Sequence, residues 1–227
     1  MASQEGHTEI VKLLLKRNPN VDLCTINGIS PLFMASQFGH TDIVRLLLER
    51  KPNIDHCDEH GYSPLRQASQ NGKTEVVKLL LERNPDIDLC DKYGCSPLYM
   101  ASQEGHIDIV RLLLQKNPNV DLHDNDGWIP LRQASQNGHT DIVKLLLEKN
   151  SNVDICGNYG TGPLYMACHE GHTDIVRLLL DKNPNIYLCD SNGCSPLIIA
   201  SQKGHTDIVR LLSEKNQNID LNDDDLD

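Results

Sequence analysis

A glycine returns every 33 residues along this chain, at Gly6, Gly39, Gly72, Gly105, Gly138, Gly171 and Gly204, with no insertion or deletion between copies. The flanking text returns with it. Gly39-His40-Thr41-Asp42-Ile43-Val44-Arg45-Leu46-Leu47-Leu48 reappears as Gly138-His139-Thr140-Asp141-Ile142-Val143-Lys144-Leu145-Leu146-Leu147. Gly28-Ile29-Ser30-Pro31-Leu32 reappears as Gly61-Tyr62-Ser63-Pro64-Leu65 and Gly94-Cys95-Ser96-Pro97-Leu98. A period of this length is the signature of a stacked-repeat architecture, because one unit so short cannot bury an apolar face alone and must lean on its neighbours. Six full units and a truncated first one occupy the 227 residues and leave no text for a second domain.

Each unit reads as a helix pair and a turn. Ser-Pro, as in Ser30-Pro31, starts a short helix: the serine caps free amides and the proline stands where its missing N–H costs nothing. That helix ends near Phe38-Gly39. Thr41 and Asp42 open a second helix, with the carboxylate in the first turn, where the macrodipole favours it. Ile43, Val44, Leu47 and Leu48 give this helix an apolar stripe, and Asn-Pro, as in Asn84-Pro85, stops it. The stretch from Asp88 to Cys95 predicts a hairpin-like turn. Ala2, Ala35, Ala68, Ala101, Ala134, Ala167 and Ala200 share one slot, where a small residue lets helices approach closely.

At these residues the chain resembles the ankyrin repeat family. Asp91-Lys92-Tyr93-Gly94-Cys95-Ser96-Pro97-Leu98 and Gly105-His106 match the family pattern Asp-x-x-Gly-x-Thr-Pro-Leu-His-x-Ala-Ala-x-x-Gly-His, and the resemblance runs to about residue 222. It implies an all-α solenoid of stacked helix-turn-helix units with turn fingers projecting at right angles, and a protein-binding role without catalysis. On this frame a partial repeat covers 1–24, full repeats cover 25–57, 58–90, 91–123, 124–156, 157–189 and 190–222, and an acidic tail covers 223–227. The family's His slot instead holds Phe33, Arg66, Tyr99, Arg132, Tyr165 and Ile198, and its Thr slot holds Ile129 and Gly162 in two repeats. The hydrogen-bond network those two residues support in the family is not expected to carry over unchanged.

The ends differ from the middle. Ser213 replaces a leucine, which suits a polar end cap. Met1 falls in phase with Met34, so the first unit lacks its turn and half of its first helix. The chain therefore reads as a piece of a longer array; otherwise its open front face is expected to be sticky.

The formal charge of −11 argues against a phosphate-binding surface, and no apolar run is long enough to span a bilayer. The N-terminus has no secretion-signal pattern, so an intracellular location is expected, cytoplasmic with the nucleus open. His7, His40, His106, His139, His172 and His205 share a slot, and stacked helices about 8–10 Å apart keep such residues too distant to share a metal. Cys24, Cys57, Cys90, Cys156 and Cys189 share another, again too far apart for bridges between units. Cys90 with Cys95, and Cys189 with Cys194, fall within single turns, where an oxidised or metallated pair stays open beside reduced packing thiols. Cys168-His169-Glu170-Gly171-His172 is interrupted by its glycine and lacks a metalloprotease helix face. No nucleophile with an orienting base stands out, and neither cofactor nor metal is expected.

The nine aromatics avoid the apolar stripe and concentrate in turns and first helices. Aromatic and Arg side chains dominate interface energetics. The expected partner-binding residues are therefore Tyr62, Arg66, Tyr93, Tyr99, Trp128, Arg132, Tyr159 and Tyr165, on the concave palm and turn tips. The alternating slot Phe33, Arg66, Tyr99, Arg132, Tyr165 predicts a cation–π ladder along the palm, each contact worth about 0.5–1 kcal/mol. Glu59, Asp91, Glu104, Asp124, Asp126 and Glu170 predict that basic partner side chains are welcome at the rim. A double truncation, Trp128→Ala with Arg132→Ala, is expected to weaken partner capture while barely shifting melting. The chain reads as a monomeric protein- or peptide-binding scaffold whose open N-terminal face is available for end-to-end contact. A structural spacer of a longer array, or the adaptor part of a multidomain protein, is the alternative.

Overall fold

A computed structural model describes residues 2–223, with side chains to Gln217. Met1 and the last four residues of the acidic tail lie outside the described residues. The chain divides into two compact units, Met1–Leu122 and His123–Asp227. The first holds α1 (Thr8–Leu15), α2 (Pro31–Phe38), α3 (Thr41–Leu48), α4 (Pro64–Gln70), α5 (Thr74–Leu81), α6 (Pro97–Gln103) and α7 (Ile107–Leu114). The second holds α8 (Pro130–Gln136), α9 (Thr140–Glu148), α10 (Pro163–Glu170), α11 (Thr173–Leu180), α12 (Pro196–Lys203) and α13 (Thr206–Asp223). Among the described residues no strand forms, so the fold is all-α.

The inner helices start as their Ser-Pro signature dictates. Ser30, Ser63 and Ser96 are extended, and each hydroxyl accepts the amide three residues on at 3.1 Å; Ser195 does the same at 3.3 Å. Ile129 and Gly162 make no side-chain cap, so α8 and α10 start on proline alone. Each inner helix runs into a left-handed glycine. At Gly72 (φ +70°) an added Cβ would sit 2.7 Å from the His106 ring of the next repeat. The histidine slot is structural: Nε2–H donates across repeats, from His40 to Gln4 O, His106 to Gln70 O and His172 to Gln136 O, at 2.8, 3.0 and 3.0 Å.

The outer helices bury their stripes. Ile43, Val44, Leu47 and Leu48 of α3 are all under 4% exposed. Full burial of each such side chain is worth roughly 1.5–3 kcal/mol. Inner helices pack side by side, α2 on α4 on α6 and α8 on α10 on α12, with outer helices α1, α3, α5 and α7, or α9, α11 and α13, stacked behind them. The alanine slot explains how closely they approach: Ala35, Ala68, Ala101, Ala134, Ala167 and Ala200 are fully buried.

Each outer helix stops at a residue with positive φ, Asn18, Lys51, Asn84, Asn117, Asn150 or Asn183. Asparagine tolerates that region better than lysine does. The last repeat is different: its counterpart Asn216 is followed by Gln217 where most repeats have proline, and α13 continues to Asp223. Ser213 lies on this helix, half-buried, and its hydroxyl donates to Val209 O at 2.9 Å.

Four of the turns are held by one aspartate each. In the turn at Asp91, the Asp91 amide donates to Cys95 O and the Gly94 amide to Asp91 O, while Asp91 Oδ1 accepts the Tyr93 and Cys95 amides at 2.8 and 2.9 Å. Asp58, Asp124 and Asp190 build the same turn. Neighbouring fingers are joined through main chain: Glu59 N to Asn27 O and Lys92 N to His60 O in the first unit, Asn158 N to Asp126 O and Ser191 N to Tyr159 O in the second.

Candidate functional site

In the first unit, Tyr62 closes one finger and Arg66 is the third residue of the helix that follows it. Capping by Ser63 fixes the backbone there, so the Arg66 side chain turns back beneath the finger. Its guanidinium lies 4.0 Å from the Tyr62 ring centroid. Nε and Nη2 reach Asp91 Oδ2 of the next finger at 3.0 and 2.8 Å, and Nη1 donates to Gln67 and Gln70. His60 stacks obliquely on Tyr62, with centroids 5.5 Å apart. Burial raises the Tyr62 phenol pKa, with Arg66 opposing that shift. Tyr93, on the next finger, is more than half exposed.

The second unit repeats the plan with three changes. Trp128 occupies the Tyr62 position and Arg132 lies under it, 3.9 Å from the ring. Gly157 stands where four of the other fingers have aspartate. A Cβ there would fall 2.3 Å from Trp128 Cδ1 and 2.5 Å from Asp126 O, so only glycine leaves room for the indole against the neighbouring finger. Thr161 supplies acceptors in place of the missing carboxylate: Arg132 Nε donates to its carbonyl at 3.3 Å and Nη2 to its hydroxyl at 3.5 Å, while Nη1 donates to Gln136 at 2.7 Å. Tyr159, more than half exposed, stands beside the indole with centroids 6.3 Å apart.

Tyr165 fills the same helix position as Arg66. Its hydroxyl donates to Asp190 Oδ2 at 3.0 Å, and burial, then this bond, pushes its pKa up to about 12. Asp190 is held below the usual carboxylate range by the Cys194 amide first, with further help from Asn192 and Tyr165. Arg66 and Tyr165 thus do one job by different chemistry: each ties its helix to the aspartate of the following finger, 25 residues on.

Four of the eight expected contact residues are therefore interior. Arg66 and Arg132 are 4% exposed, Tyr99 is 3% and Tyr165 is 8%. Tyr62 and Trp128 are half-buried, and Tyr93 and Tyr159 face solvent. The expected ladder is corrected too. The guanidinium groups take the rings of their own finger tips, Tyr62 and Trp128, while Phe33, Tyr99 and Tyr165 are buried packing residues. Because Arg132 is interior, its truncation is expected to cost stability, against the near-unchanged melting expected from the sequence. The acidic rim also shrinks: Asp91 and Asp124 are buried with Oδ1 of each on turn amides, leaving Glu59, Asp126, Glu104 and Glu170 accessible.

All eight cysteines are free thiols. Burial first, then nearby aspartates, raises the Cys57 and Cys90 pKa values, and burial pushes Cys168 up to about 12, so each environment disfavours the thiolate. Gly171 ends α10 at φ +80°, and Cys168 is buried away from His172, which bonds Gln136. No cluster of three His, Cys, Asp or Glu placed to hold a metal occurs among the described residues. Nor is any helix among them long and apolar enough to cross a membrane.

A family model described as ankyrin repeats (3 copies) matches residues 1–91, 65–157 and 150–225. Among solved structures, the ankyrin repeat domain of human ASB11 is similar at 29% identity and TM-score 0.81, covering 94% of this chain and 95% of that one. Comparison with curated protein sequences finds no match.

Proposed function

Given that the chain belongs to the ankyrin repeat family, whose repeats generally mediate protein–protein interaction, we propose that it is a non-catalytic scaffold gripping a partner protein or peptide at its finger tips. The contact residues are Tyr62 and Tyr93 on the first unit, and Trp128 and Tyr159 on the second. The observation that carries this reading is the exposure of Tyr93 and Tyr159, large aromatics held at bonded turn tips with no core to fill. Rings of this kind anchor interfaces, since they bring large area at small entropic cost. Arg66 and Arg132 serve the site indirectly, as platforms beneath Tyr62 and Trp128. Glu59 and Asp126 beside the tips favour a partner with basic side chains.

The test is affinity capture with wild type against Tyr93→Ala/Tyr159→Ala. Both side chains are exposed, so melting is expected to stay within about 0.5 kcal/mol of wild type while capture of the wild-type partners falls. Partner recovery equal to wild type with both rings removed would refute the assignment.

A further inference from the structure

The arrangement of a ring over an arginine occurs twice, and the two copies stand in the same register. Tyr62, Arg66 and Gln70 of the first unit become Trp128, Arg132 and Gln136 of the second, two repeats further on. The helices that carry them, α4 and α8, are identical in sequence. The guanidinium lies 4.0 Å from the ring centroid in one copy and 3.9 Å in the other, and Nη1 donates to the glutamine in both. Tyr93 and Tyr159, each on the following finger, repeat at the same interval and are 55% and 54% exposed. Tyr159 lies 6.3 Å from the indole, and Tyr93 is near enough to Tyr62 to help raise its pKa. The intervening repeats break the plan, with Cys95 and Tyr99, then Thr161 and Tyr165, in the ring and arginine slots.

Charge is duplicated although its residues are not. The first set holds Asp58, Glu59 and Asp91 against Arg66 and Lys92; the second holds Asp124 and Asp126 against Arg132. With His60 counted as neutral, each set carries a single net negative charge. Asp91 and Lys92, opposite in sign, are both replaced by neutral residues, Gly157 and Asn158. Each set is also tied together inside its own compact unit, Arg66 to Asp91 in the first and Arg132 to Thr161 in the second.

We propose that these are two equivalent binding sites, one per unit, each taking one copy of the same short partner segment that pairs a Lys or Arg with an apolar side chain. The cation is drawn by the net negative charge and stacks on the exposed ring, while the apolar group packs beside it. The proposal rests on the finger-tip contact put forward above and adds the number of sites, their independence and the chemistry each one reads.

The probe is a peptide selected from a random library on the wild-type chain and counter-selected on Tyr93→Ala/Tyr159→Ala. Calorimetric titration of the full chain is expected to show two peptides bound, with dissociation constants within about tenfold of each other. Tyr93→Ala and Tyr159→Ala, made singly, are each expected to leave one. Replacing the peptide's Lys or Arg by Gln is expected to weaken both sites by about threefold, the size of an exposed cation–π contact. Tyr187→Ala removes an exposed ring outside both sets and is expected to leave both sites. One peptide per chain, or loss of all binding from either single variant, overturns the duplication while leaving a finger-tip site in place. Equal binding by the Gln peptide overturns the cationic assignment. A library that yields no peptide distinguishing wild type from the double variant instead refutes the finger-tip contact itself.

Discussion

Arg66 shows how a residue that looks like a contact becomes a support. Its charge is shared between the face of Tyr62 and Asp91, whose side chain has no solvent exposure. Removing one member of a buried ion pair leaves the other uncompensated, so Asp91→Ala is expected to cost about 3–5 kcal/mol in urea unfolding. Adding Arg66→Ala is expected to recover part of that loss, which a double-mutant cycle measures. Tyr165 gives the neutral version of the same link. Its native pKa of about 12 lies above the ordinary value of 10, so its stabilisation is complete below pH 10 and lost as pH rises through 12. In an ultraviolet titration, Asp190→Asn should bring this phenol part of the way down only, because burial is the larger cause. The sequence named these side chains through their chemistry but not their direction. That direction depends on a carboxylate 25 residues away, in the next repeat. The pairings of Arg66 with Asp91 and Tyr165 with Asp190 at that separation were the available signal.

Helices and turns were far more legible, because their causes are local. Ser-Pro starts, glycine ends and aspartate-held turns lie within a few residues of what they control, so the period alone locates them. The exceptions are instructive. The run-on of α13 is not explained by Gln217 alone, because Ser151 also replaces the proline and α9 still ends at Glu148. Gly157 lies in a turn, and the absence of a Cβ there leaves the space in which the Trp128 indole lies. Gly157→Ala is expected to displace that ring and cost roughly 1–3 kcal/mol, the range for overpacking. Trp128 is the sole tryptophan, so its emission should shift to the red as the indole moves toward water.

Across the whole molecule, stability is expected to be graded rather than uniform. In α1 only Val11 and Leu15 are buried, whereas α3 buries four side chains. In a stack, each repeat draws its stability from its own contacts and its nearest neighbours. Amides of α1 are therefore expected to exchange with deuterium well before those of α3, α5 or α11, as measured by native-state hydrogen exchange. Equal protection of α1 and α3 would contradict this. The same repetition accounts for what remained hidden at this scale. Identical text predicts identical packing, and only the structure reveals which copies of an apolar residue have been left without a neighbour.

The main-chain bonds between fingers have a further consequence. Lys92 and Ser191 reach the preceding finger through their amides, so the placement of each tip owes nothing to the side chains displayed there. Rings at the tips can be exchanged for other residues without redrawing the loops that present them. Selection for a new partner, or a library built at positions 62, 93, 128 and 159, would then be exploring chemistry on a fixed stage, with the constraint at 128 that its companion glycine travel with any bulky replacement.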